Sequence, residues 1–192
     1  MLNHLESKNI ILASKSPRRQ ELLKGLDINF SIQTKDIEEL YPDNIPSEEV
    51  PAFLSKLKAS AFEQDLNDND ILITSDTIVI LGDEILEKPK SEQEAKEMIA
   101  KMSGKTHTVV TGVAITSPTK QVVFSDHTQV TFCELSAEEI TYYIEKYQPF
   151  DKAGSYGVQE WIGYVAIHKL EGSYFTVMGL PLHRLYEELK KF

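Results

Sequence analysis

The chain has 192 residues, with 20 Lys or Arg against 30 Asp or Glu, a formal net charge of −10 and 41% hydrophobic content. This is the composition of a globular chain able to bury a sizeable core, and it excludes a disordered or fibrous protein. The acidic balance argues against nucleic-acid binding, which needs a basic face, and no apolar run approaches the roughly 20 residues that span a bilayer.

The first eight residues are polar and carry no basic-then-apolar export signal. The single cysteine, Cys133, has no internal disulfide partner. Both features point to a reducing, cytoplasmic compartment, with Cys133 expected in the core. Residues 9–14 (NIILAS) form a short apolar run that predicts a buried strand. Ser16-Pro17 then supplies a helix cap and a proline at the first helical position, ahead of a face bearing Leu22, Leu23 and Leu26. The junction from Ser14 to Arg19 is thus a strand, a tight turn and a helix N-terminus, where unpaired N–H groups and the positive dipole end favour anions. Arg18, Arg19 and Arg184 are the chain's only arginines, and two of them stand at this junction. A guanidinium fork suits phosphate oxygens better than an ammonium does.

A second strand is expected at 30–33, followed by an acidic turn that ends at Glu39. A helix over 47–64 would carry Val50, Leu54, Leu57 and Ala61 in one stripe. Lys58 falls at the margin of that stripe, and the pattern alone leaves it free to snorkel outward. Residues 71–81 (ILITSDTIVIL) are apolar on both faces, as a central strand is, yet Ser75-Asp76-Thr77 interrupts the middle. A carboxylate there is costly unless it is paired, metal-bound or catalytic. Gly82-Asp83 reads as a two-residue hairpin turn leading to Glu84-Ile85-Leu86.

Ser91 with Glu94, and Ser136 with Glu139, predict capping boxes that open helices ending near Met102 and Tyr147. Strands are expected at 106–116 and 121–132, and a loop with two glycines at 151–159. A hairpin is expected from 165–170 and 174–178, then a last amphipathic helix bearing Leu182, Leu185 and Leu189. The expectation is one α/β domain over residues 1–192, with a central mixed sheet flanked by helices. Ser103-Gly104-Lys105-Thr106 imitates the end of a P-loop but closes a helix instead of opening one, so Gly104 is better placed as a C-cap residue. The five histidines show no metal-ligand spacing.

Six segments resemble, in order and spacing, the Maf family of nucleoside triphosphate pyrophosphatases. They are Ala13-Ser14-Lys15-Ser16-Pro17-Arg18-Arg19, Ser75-Asp76-Thr77, Glu87-Lys88-Pro89, Ser103-Gly104-Lys105-Thr106-His107, residues 151–159 (DKAGSYGVQ) and Met178-Gly179-Leu180-Pro181. Ser75 stands where the family commonly has alanine. The resemblance implies an ITPase-like α/β fold with two lobes around a nucleotide cleft, commonly a homodimer. It also implies hydrolysis of a nucleoside triphosphate to the monophosphate and pyrophosphate with a divalent metal, Mg2+ or Mn2+. Arg, Thr and Gln at positions 18, 77 and 159 resemble the branch acting on dTTP and UTP; the branch preferring 7-methyl-GTP has Trp, Gln and Glu there. By the same resemblance Asp76 would be the proton acceptor and, with Glu39, a metal ligand. Lys58 and Lys88 would join Arg18, Arg19 and Ser14 on the phosphates, and Thr77 and Gln159 would read the base. A non-enzymatic nucleotide-binding regulator of septum formation would explain the phosphate contacts, but not the pair of carboxylates.

Overall fold

A computed structural model describes residues 2–192. The chain divides into two compact units, the first comprising the residues up to Asp76, Thr111–Asp126 and Gly179–Phe192, and the second Thr77–Val110 and His127–Met178. Among the described residues, a mixed sheet of seven strands is flanked by seven α-helices, an α/β architecture.

In the first unit, β1 (Asn9–Leu12) pairs in parallel with β2 (Phe30–Ile32) and with β3 (Asp70–Leu81), Ile10 lying opposite both Phe30 and Ile71. Parallel neighbours need crossovers, supplied by α1 (Pro17–Lys24) and then by α2 (Val50–Ser60). The helix expected over 47–64 is shorter, because Ser47–Glu49 forms a 3-10 turn ahead of Pro51 and the chain leaves the helix after Ser60. Its buried face is Val50, Pro51, Leu54, Ser55 and Ala59, while Leu57 is only partly covered. Ala59, Phe62, Ile11, Leu72 and Ala114 form the local core. The remaining elements of this unit are residues 111–117 of β5 (Thr106–Ser117), residues 120–126 of β6 (Lys120–Phe132) and the C-terminal helix Leu182–Leu189.

Gly112 on β5 sets how closely α2 approaches. A Cβ there would lie 2.2 Å from the Pro51 carbonyl carbon and 2.3 Å from Ala52 N, so backbone meets backbone without room for a methyl group.

In the second unit the end of β3 turns through Gly82, φ +61°, into β4 (Glu84–Leu86), with Leu81 opposite Glu84 as the hairpin expectation requires. The other elements here are α3 (Glu92–Met102), the adjoining parts of β5 and β6, α4 (Ala137–Tyr147), α5 (Trp161–Ala166), β7 (Ile167–Glu171) and α6 (Tyr174–Met178). The C-terminal helix is α7. The order across the sheet is β2-β1-β3-β5-β6-β7, with β4 on β3. Ser136 and Glu139 make the full reciprocal capping box. Ser91 caps Glu94 N–H, but the Glu94 carboxylate takes the N–H of Lys90 instead of that of Ser91. Gly104, φ +68°, follows the α3 cap residue Ser103, so the P-loop imitation is a helix end. His107 is buried against Phe132 and Tyr156, with Nε2 2.7 Å from the Tyr156 hydroxyl; burial lowers its pKa to about 4 and keeps it neutral near pH 7.

Two further expectations fail. Residues 174–178 are the helix α6 instead of a strand. Gly172, at φ +130° and close against Thr128, ends β7, and Thr128 Oγ1 donates to the Ser173 carbonyl, so the chain after β7 leaves the sheet. Cys133 is exposed, because Phe132 faces inward at the end of β6 and the next residue points the other way.

The Gly112 contact predicts a large effect from the smallest possible side chain. Gly112→Ala is expected to lower unfolding free energy by about 1–3 kcal/mol, the usual cost of overpacking, and to reduce activity by displacing α2. Denaturant titration beside an activity assay checks this; an unchanged midpoint would show that α2 yields freely.

Candidate active site

Strand period and helix period together aim the central side chains. On β3, Thr74 and Asp76 share one face while Ser75 points to the other. Thr74 Oγ1 donates to the Ser55 carbonyl at 2.7 Å, which fixes α2 on the strand, and three residues along the same helix face Lys58 Nζ lies 2.5 Å from Asp76 Oδ1. Lys58 therefore points inward. Its side chain is 15% exposed and that of Asp76 12% exposed.

A second carboxylate joins them. Glu39 Oε1 lies 2.9 Å from the same ammonium, with its side chain 45% exposed. The expected acidic turn has no regular secondary structure, and its segment is tethered by ion pairs. Lys15 meets Asp36 at 2.6 Å, Lys35 pairs with Asp65 and donates to the Ala61 carbonyl, and Glu39 meets Lys58.

The turn after β1 has the expected cap, with Pro17 at the start of the helix. Ser16 caps α1 by accepting from Arg19 N–H, and the buried Ser14 hydroxyl accepts from Ser16 N–H at 3.2 Å. Arg19 reaches from the first turn of α1 to two backbone carbonyls, Nε to Gly179 at 2.8 Å and Nη1 to Ser75 at 2.9 Å. Burial lowers its pKa, opposed by the carboxylate of Asp76. The Ser75 hydroxyl lies 2.9 Å from the Gly112 carbonyl and 3.1 Å from that of Gly179. Arg19 and Ser75 thus tie β3, β5 and the start of the C-terminal segment around Asp76. Arg18 follows Pro17 in the first turn and is partly buried.

Of the residues singled out in the sequence, the first unit thus brings together Asp76, Lys58, Glu39 and Arg19, with Ser14 shaping the turn that starts α1. Lys88, Thr77 and Gln159 lie in the second unit. Lys88 is exposed beyond β4, Thr77 is partly buried on β3, and Gln159 is partly buried with its Oε1 enclosed and without a hydrogen-bond partner.

The donor set suits a hard divalent cation. Two carboxylate oxygens face one point already filled by positive charge, and among the described residues no cluster of three His, Cys, Asp or Glu side chains offers an all-protein cage. Mg2+ characteristically takes one or two carboxylates and completes its shell with water and phosphate oxygens.

Three contributors are not marked by residue type in the sequence: the Gly179 carbonyl, the Gly112 contact and a buried lysine, Lys152. A backbone carbonyl leaves no trace in side-chain type. Lys152 stands in the 151–159 segment that resembles the family, but a lysine's residue type carries no sign of burial; its place beside Gly154 and Gly157 is the available sign of a tightly packed segment.

A family profile described as Maf-like protein matches residues 9–192. The chain is 53% identical over 192 residues to a protein of Phocaeicola vulgatus named dTTP/UTP pyrophosphatase, covering 100% of both chains. It is 51% identical to proteins of the same name from Porphyromonas gingivalis, covering 100% of this chain and 98% of the relative, and from Flavobacterium johnsoniae, covering 96% and 95%. Among solved structures, the Staphylococcus aureus Ham1 protein superposes with a TM-score of 0.55 at 16% identity, covering 94% of this chain and 100% of that one, a likeness of fold. With the family profile met from Asn9 to Phe192 and about half of all residues shared with full-length relatives, this chain belongs to the Maf-like family.

Proposed function

We propose that this protein hydrolyses dTTP and UTP to the nucleoside monophosphate and pyrophosphate. As a member of the Maf-like family sharing about half its residues with full-length dTTP/UTP pyrophosphatases, it is a nucleoside triphosphate pyrophosphatase, a hydrolase. The geometric observation that carries the reading is the convergence of Asp76 and Glu39 on the Lys58 ammonium. Two carboxylates only repel a triphosphate unless a cation accompanies it, so a protein that merely sensed the nucleotide would gain nothing from them. Paired carboxylates beside Lys and Arg suit a polyanion brought in with a metal and then cleaved.

The roles follow from chemistry and from the motif resemblance. Water attacks the α-phosphorus, the bond from that phosphorus to the bridging oxygen breaks, and pyrophosphate leaves. Lys58 engages Oδ1 of Asp76, which leaves Oδ2 to take the proton of the attacking water. Asp76 and Glu39 would hold Mg2+ or Mn2+, which when bound neutralises phosphate charge. Arg18, Ser14 and the α1 N-terminus address phosphate oxygens, while Arg19, with two N–H groups on backbone carbonyls, also keeps the site in shape. Lys88 is assigned to the phosphates and Thr77 and Gln159 to the base by the motif resemblance. The enclosed, partnerless Oε1 of Gln159 supports this, since uracil and thymine present an N3–H donor next to carbonyl acceptors. The same reading makes residues 1–192 one catalytic domain acting on a small nucleotide in the cytoplasm, as a homodimer by family resemblance. Neither nucleic acid nor membrane is a partner; the net charge of −10 supports the former, and no helix is long and apolar enough to cross a membrane among the described residues.

The direct test is a panel of UTP, dTTP, CTP, GTP and 7-methyl-GTP with Mg2+, Mn2+ or chelator. Pyrophosphate and monophosphate should appear from UTP and dTTP, and chelator should stop their release. Release of orthophosphate, or a preference for 7-methyl-GTP, would overturn the assignment.

Asp76→Asn keeps the shape and an acceptor for Lys58 but removes the charge and the proton acceptor. Turnover of dTTP is expected to fall about 10²–10⁴-fold, while calorimetry in chelator should show dTTP binding retained. Near-normal turnover by the folded variant would remove Asp76 from the chemistry.

Lys58→Met should also lose most activity. It removes the ammonium that both carboxylates face, so its Tm in chelator should fall below wild type, and Mg2+ should raise its Tm more than it raises that of wild type. Equal Mg2+ shifts in the two proteins would show that the carboxylate pair is not the cation site.

A further inference from the structure

The segment carrying Gln159 has little regular structure: one 3-10 turn, Ala153–Ser155, with positive φ at Gly154 and Ser155. What holds it is a set of polar side chains that the catalytic scheme does not use. Tyr143, on α4 and fully buried, accepts the Gly157 N–H at its hydroxyl oxygen at 3.0 Å and donates its own proton to Glu160 Oε2. The other oxygen of that carboxylate, Oε1, lies 3.1 Å from Lys152 Nζ, which also meets Asp151 at 2.8 Å; the Lys152 side chain is 9% exposed. Glu160 N–H donates to the Gly157 carbonyl at 3.0 Å, closing the turn in which Gln159 is the third residue. Burial, followed by the Glu160 carboxylate, pushes the Tyr143 hydroxyl well above its ordinary pKa, so it remains a donor across the working pH range.

The glycine completes the arrangement. Glu160 Oε2 and Gln159 Nε2 lie 2.9 and 3.0 Å from the point that a Gly157 Cβ would occupy. The carboxylate and the amide therefore flank the same bare Cα, and a negative charge there favours the NH2 end of the amide on its side. The Oε1 end is left enclosed and without a partner. A glutamine amide turned this way accepts from N3–H and donates to a carbonyl, which matches uracil and thymine; turned over, it would match cytosine, whose N3 accepts and whose exocyclic amine donates.

We propose that Tyr143, Glu160 and Lys152 form a positioning relay that sets the orientation of the Gln159 amide and so discriminates uracil and thymine from cytosine. None of the three touches the reacting phosphates in this scheme; they act through Gln159. The inference rests on the reading that Gln159 addresses the base.

The experiment compares wild type, Tyr143→Phe, Glu160→Gln and Gln159→Ala in steady-state hydrolysis of UTP and CTP. Inhibition by tripolyphosphate, which lacks a base, is measured in parallel. Tyr143→Phe keeps the ring packing, and Glu160→Gln keeps the size while removing the charge, so a fold lost in one leaves the other to report. Both are expected to raise KM for UTP with kcat little changed, and to lower the UTP-to-CTP ratio of kcat/KM by about tenfold, the scale of one or two buried hydrogen bonds. The tripolyphosphate inhibition constant should stay within about twofold of wild type, the span that ordinary surface changes produce. Wild-type discrimination in both relay variants with lost discrimination in Gln159→Ala would overturn the relay and leave the base-reading role of Gln159 standing. Wild-type discrimination in Gln159→Ala would overturn the base-reading role itself, and the relay with it. Tripolyphosphate inhibition weakened in step with UTP would show general damage to the site and equally overturn the relay.

Discussion

A carboxylate in the middle of a strand buried on both faces must find positive charge, and much of the first unit is arranged to supply it. Asp76 stands on β3 among Ile73, Ile78, Val79 and Ile80, all nearly inaccessible to water. Its ammonium partner comes from α2, and α2 delivers Lys58 at the right height because Thr74 bonds Ser55 one helical turn earlier. The helix lies close enough for both contacts because Gly112 on β5 has no side chain beneath Pro51. Each of these local facts is unremarkable by itself; together they answer a single electrostatic demand.

One ammonium, that of Lys58, faces two carboxylates, Asp76 and Glu39. Arg19 adds positive potential at longer range while spending two of its N–H groups on the carbonyls of Ser75 and Gly179. Arg19 builds the walls around Asp76 and shapes its field, whereas Arg18 stands with the helix terminus that favours anions.

The second unit meets a different demand by similar means. A loop with two bare glycines holds a defined shape because Lys152, Glu160 and Tyr143 satisfy one another and the Gly157 N–H out of bulk water. Buried polar groups that are fully paired specify a conformation more sharply than apolar contacts do, since any alternative leaves a charge or a donor unmatched.

What the sequence by itself determined were the features set by near neighbours along the chain. The strand at 71–81, the Gly82-Asp83 hairpin, the Ser136 and Glu139 box, the Ser16 cap and the C-terminal glycine of α3 depend on periodicity, on turn geometry and on backbone donors within four residues. The motif positions were legible for the same reason, since unusual residues such as Asp76 and the Arg18-Arg19 pair stand out against an apolar strand and a lysine-rich chain. Only tertiary structure decided the rest. Lys58 sits at the edge of a helical stripe, where the choice between water and core depends on whether a carboxylate waits across the gap. Residues 174–178 have strand-forming side chains, yet Gly172 and Thr128 steer them off the sheet into a helical turn. Cys133 is apolar enough for a core but follows an inward-facing phenylalanine. The glycine at 112 and the carbonyl of Gly179 gain their importance from partners far along the chain, Pro51 for the first and Arg19 and Ser75 for the second, and local pattern carries no record of such partners.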